Sequence, residues 1–91
     1  MEFFWNEEKN SMLKEGRGVS FEEIIEIIQN GGLLSDVPHP DKENYPNQRV
    51  LYVDVRGYVY VVPYVTEGES LFLKTIYPSR KATKEIIWRS R

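Results

Sequence analysis

Ninety-one residues without a cysteine leave room for one domain with a modest core, which apolar side chains must hold without disulfides or a thiolate metal site. No stretch reaches the roughly 18 apolar residues of a membrane span, and MEFFWNEEKN carries acids where a secretory leader carries bases, so a cytoplasmic protein is expected. The net charge of −2 hides an asymmetry: residues 1–30 carry seven acids against three bases, whereas residues 72–91 carry Lys74, Arg80, Lys81, Lys84, Arg89 and Arg91 against Glu85 alone.

The aromatic MEFFW stretch reads as an edge strand or a core anchor. Asn6 is placed to cap a short helix over Glu7 to about Glu15, with Glu7 and Glu8 in the favourable first turn and Gly16 and Gly18 ending it. A second helix starts at a capping box, Ser20-Phe21-Glu22-Glu23, in which Glu23 is expected to reach back to the cap and Val19 and Ile24 to form a hydrophobic staple. Phe21, Ile24, Ile25 and Ile28 repeat at the spacing of a buried helical stripe. Asn30, Gly31 and Gly32 stop it.

From Ser35 to Asn47 the chain holds three prolines, two aspartates and two asparagines, a composition that predicts a long, stiff loop with no regular element. Three alternating runs follow. Leu51, Val53 and Val55 form the first; Val59, Val61 and Val65 the second; Leu71, Leu73 and Thr75 the third. Glycine-bearing turns at Arg56-Gly57 and Glu67-Gly68 join them into an antiparallel meander, with a bulge expected at Pro63, which lacks a ladder donor. Pro78 and Ser79 then open a last helix whose apolar side is Ala82, Ile86 and Ile87. The expectation is a single α+β domain over 1–91: N-terminal helices, an antiparallel sheet and a C-terminal helix, with the helices on one face.

Phosphate-loop, zinc-protease and serine-hydrolase motifs find no support. His39 is the only histidine. Three readings are open for it: a carboxylate–histidine metal group with Asp36 and Asp41, an acid/base or phosphate ligand whose class titrates near neutrality, and a loop histidine bonded to a neighbour. The bend at Pro78 is expected to gather Lys74, Tyr77, Ser79, Arg80, Lys81 and Lys84 at one sheet end, where the helix N-terminus and Arg80 can grip phosphate. Arg49 and Lys42 can converge on it. The plain alternative is a solvated basic surface that complements the helix dipole. Tyr58, Tyr60 and Tyr64 share a face, either as a base-stacking platform or as core.

Three segments in order, Phe4-Trp5-Asn6-Glu7-Glu8-Lys9, Gly18 to Glu23 and Ser79-Arg80-Lys81-Ala82-Thr83-Lys84, resemble the BrnT family of bacterial toxins over nearly the full length. The resemblance implies a RelE-like fold, RNA cleavage without a metal or other cofactor, and neutralisation by a small DNA-binding antitoxin encoded alongside. It points to Arg80 and Lys81, with Ser79 shaping their helix start. In such a reaction the 2′-OH attacks the adjacent phosphorus. Arg80 and Arg49 would stabilise charge, while His39, Lys42, Lys74 or Tyr77 would move protons. The rival expectation is a non-catalytic protein- or nucleic-acid-binding module on the same fold.

Overall fold

The computed structural model describes residues 2–89. Helix α1 (Glu7–Arg17) starts where Asn6 accepts a hydrogen bond from the Lys9 amide and ends at Gly18, whose positive φ of 67° lets its N–H return to the Lys14 carbonyl. Helix α2 (Phe21–Gln29) shows how the two helices are joined. Ser20 Oγ accepts from the Glu23 amide at 3.1 Å, and Asn10, reaching across from α1, accepts from the Phe21 amide at 2.8 Å. Two of the unpaired donors of the α2 first turn are thereby satisfied. Glu23 does not complete the expected box; its carboxylate takes Arg56 at 2.6 Å.

The sheet runs β1-β5-β4-β3-β2, with β6 also on β4: β1 Glu2–Phe4, β2 Leu33–Pro38, β3 Arg49–Val55, β4 Tyr58–Glu67, β5 Ser70–Leu73 and β6 Tyr77–Pro78. The meander of β3, β4 and β5 is antiparallel, but β1 lies parallel to β5, so the sheet is mixed. The segment expected to be loop from Ser35 begins as strand β2, paired with β3 from Leu33 to Pro38. Its Pro38 and Asp36 are tolerated because it is an edge strand, with one side free of ladder bonds. Only His39 to Gln48 remains a loop.

The expected irregularity at Pro63 is present, with the extra residue in the opposite chain. Tyr64 pairs with Leu73 and Val61 with Tyr77, so Lys74, Thr75 and Ile76 face only Val62 and Pro63. Pro63 contributes its carbonyl, which accepts from the Lys74 amide at 2.8 Å. The third strand therefore splits into β5 and β6. Ile76 turns fully into the core, and the Arg17 guanidinium donates to its carbonyl.

Two apolar clusters lie on opposite faces of the sheet. One unites Leu13, Phe21 and Ile24 with Leu51, Val53, Val62, Tyr64 and Leu73. The other is Val59, Ala82 and Ile87, with Tyr52 and Ile86 beside them. Successive strand residues point to opposite sides, and Val59 packs with the C-terminal helix while Tyr60 packs with α1 and α2. The helices thus cover both faces, not one. The C-terminal helix is α3 (Arg80–Ala82), continuing in wider π-type turns over Thr83–Trp88. Tyr64 is core, as one of the two tyrosine readings expected. Among the described residues no helix is long and apolar enough to cross a membrane.

The turn after α2 is tightly fitted. A Cβ added at Gly32 would meet Ile27 Cγ2 at 2.3 Å and the Ile27 carbonyl oxygen at 3.0 Å. Gly32→Ala is expected to lower stability by about 1–3 kcal/mol through overpacking. A fall in the urea midpoint at unchanged slope is the readout.

Candidate functional site

The C-terminal helix is held by side chains that continue the sheet where β6 stops. Ser79 donates its amide to the Val59 carbonyl at 2.9 Å, and its Oγ accepts from the Ala82 amide at 3.1 Å. Fully buried Thr83 accepts from the Val59 amide at 2.8 Å and donates to the Ser79 carbonyl at 2.7 Å. Ser79 is thus a structural anchor. With Ala82, Thr83 and Ile87 turned inward, Arg80, Lys81, Lys84, Glu85, Trp88 and Arg89 line an outer groove of about 520 Å³. The Arg80 guanidinium lies 5.8 Å from the Trp88 ring centre, and the Trp88 and Tyr58 rings meet edge to face at 6.3 Å. Among the described residues, the ion pairs join Lys14 to Glu22, Arg49 to Asp36 and Arg56 to Glu23. The four groove cations are in none of them.

A second cavity, of about 280 Å³, is lined by His39, Tyr45, Gln48, Pro63, Lys74, Thr75 and Tyr77. It opens on the same sheet face as the groove. Tyr52, Val61 and Tyr77 are register partners across β3, β4 and β6, and Tyr52 packs under the C-terminal helix. His39 is buried, its amide bonded to the Gln48 carbonyl at 3.0 Å. Its ring lies 4.5 Å from that of Tyr45. Its Nδ1 accepts from the Asp41 amide at 3.0 Å, which leaves Nε2 as the nitrogen carrying the proton. The Asp41 carboxylate in turn takes the Asn44 amide and Nδ2 at 3.2 and 2.9 Å. Those bonds from Asn44 hold it below the usual carboxylate range. Burial, then Tyr52 and Tyr45, push the Tyr77 hydroxyl's titration upward, so it keeps its proton.

Arg49 does not join either cluster. Its Nε donates to Asp36 Oδ1 at 3.1 Å and to the Tyr64 hydroxyl at 3.2 Å, and Nη2 donates to the Asp36 carbonyl at 2.9 Å. Tyr64 belongs to the α1/α2 face, and Arg49 pairs with it in register. Ser79 meets β4 at Val59, five positions away, which is about 16 Å along a strand. The expected convergence of Arg49 with Arg80 is therefore corrected: the strand's alternation sends them to opposite faces. Arg49 clamps edge strand β2 by way of Asp36. Lys42 sits exposed in the His39–Gln48 loop and is in no ion pair among the described residues.

The sequence brought out Arg80, Lys81 and Lys84, which share the groove, and His39, Lys74 and Tyr77, which share the cavity. It left out Trp88, Arg89, Tyr45, Gln48 and Thr75. An aromatic among basic residues marked Trp88 and Arg89, but nothing local marks Gln48 or Thr75. Among the described residues no group of three histidine or acidic side chains can hold a metal ion; Asp36 is taken by Arg49 and Tyr64. Neither a family model, nor a curated protein, nor a solved structure matches this chain. The toxin resemblance rests on its three motifs.

Proposed function

We propose that this chain is an RNA-binding module that lays a single strand along the outer groove of its C-terminal helix. The observation that carries this reading is the set of four cations, Arg80, Lys81, Lys84 and Arg89, gathered around Trp88 with Glu85 as the one lining acid. A cationic track beside an exposed ring is the combination that holds single strands, phosphates on the charges and a base on the ring. Fluorescence anisotropy of a labelled single-stranded RNA across a salt series tests it. Affinity should fall with salt by about 0.7 log units per log unit for each phosphate neutralised. Arg80→Ala with Lys81→Ala should flatten that slope by about 1.4. An unchanged slope rejects the groove.

A second reading, the RelE-like RNA-cutting toxin of the BrnT resemblance, is favoured by one observation: His39, Lys74 and Tyr77 line one cavity on the groove's face. The bond from the Asp41 amide fits His39 to donate from Nε2, not to act as base there. Deprotonating the 2′-OH would then fall to Lys74 or Lys42. Charge stabilisation would fall to Arg80 and Lys81 without Arg49. Induced expression of the chain alone in bacteria separates the readings. Growth arrest relieved by a neighbouring small antitoxin gene, with end-labelled RNA cut in the presence of a chelator, supports the toxin. Normal growth supports the binding module.

A further inference from the structure

The His39 cavity has a chemistry of its own. Nothing that lines it is a carboxylate; its polar lining residues are Lys74, Tyr77, Thr75, Gln48 and His39. His39 is only 7% exposed, yet Nε2 makes no hydrogen bond among the described residues. No sealed side-chain nitrogen or oxygen among them lacks a partner, so Nε2 is not closed off from solvent. Lys74 is in no ion pair among the described residues, and its ammonium rests 5.5 Å from the Phe72 ring centre. Tyr45, 44% exposed and tilted 32° against the His39 ring, adds an apolar ring at the rim.

We propose that this cavity binds the terminal phosphate of a nucleotide, with Lys74, Tyr77, Thr75 and His39 Nε2 around the phosphate and Tyr45 beneath the base. A terminal phosphate carries up to two charges and three acceptor oxygens, which matches one cation among several neutral donors better than a singly charged diester does. A volume of about 280 Å³ is too small for a length of strand. The nucleotide is either free or the phosphorylated end of an RNA. The assignment does not depend on the helix groove, because the two share no lining residue.

Titrating the full chain with AMP, adenosine and inorganic phosphate, followed by calorimetry and by ¹⁵N–¹H spectra, tests it. AMP should bind at least tenfold more tightly than adenosine or phosphate and should shift the signals of residues 39–48 and 74–77. Lys74→Ala should weaken AMP at least tenfold, and Tyr77→Phe, which keeps the ring, several-fold. Arg80→Ala should keep AMP binding and lose RNA affinity. Tighter binding of a 5′-phosphorylated RNA than of its 5′-hydroxyl twin identifies a strand end as the source; no difference, with AMP bound, identifies the free nucleotide. Adenosine or phosphate matching AMP, Lys74→Ala binding AMP as well as wild type, or shifts confined to residues 80–89 would each overturn the site.

Discussion

Thr83→Val is expected to cost about 2 kcal/mol of stability and to weaken the proposed RNA binding in the same protein. Valine keeps the shape of threonine, so the change isolates the hydroxyl. That hydroxyl accepts from the Val59 amide and donates to the Ser79 carbonyl in a site with no solvent exposure. Strand β6 stops at Pro78, one step before it would supply the Val59 amide with a backbone partner. Thr83 stands in for the missing strand. Its loss leaves a buried N–H without an acceptor, which costs about 1–3 kcal/mol. The functional part follows from position, since the helix so anchored displays Arg80, Lys81 and Lys84. Urea unfolding and RNA anisotropy on Thr83→Val and Thr83→Ser check both. The serine variant should recover most of the affinity. Should the valine variant unfold at the wild-type midpoint, Thr83 is not the anchor.

The parts of this structure that were legible in the sequence are those set by neighbours in the chain. Asn6, Ser20 and Gly18 mark helix ends because a cap acts within four residues. The alternation from Leu51 to Val55 gives a strand because its period is local. Strand β2 was hidden because Asp36 and Pro38 read as loop residues; only pairing with β3 and the clamp from Arg49 make them strand. The sites depended on a still longer-range fact. Periodicity tells which residues of a strand share a face, but not which helix covers that face. Once the C-terminal helix is laid over Tyr52 and Val59, Arg80 and Arg49 must part, and His39 must fall on the helix side with Pro63 and Tyr77. Asn10 escaped for a related reason. It occupies the inward stripe of α1 with Leu13, three positions on, and a polar residue there has meaning only when the start of α2 is brought against it.

That placement gives Asn10→Ala the largest expected loss of stability, about 3 kcal/mol near neutral pH. Asn10 is buried and serves two groups at once: Oδ1 accepts from the Phe21 amide, and Nδ2 donates to Glu22 Oε1 at 2.6 Å. Alanine orphans a buried amide at the first turn of α2, the larger share of the cost, and removes a bond to a carboxylate. Glu22's side chain is 53% exposed, so solvent screening keeps its share smaller. The two shares separate by pH. The Asn10 amide is the main cause holding the Glu22 carboxyl below its ordinary value of 4.5. A depressed carboxyl stabilises the fold fully above that value and loses its contribution as pH falls through the folded-state titration. The stability gap between wild type and Asn10→Ala should therefore be widest near pH 7 and shrink below about pH 4.5, settling on the part owed to Phe21. Urea titrations at pH 7 and in acid measure it. A gap that stays constant over that range would mean the Glu22 bond contributes nothing and the Phe21 cap alone joins the two helices.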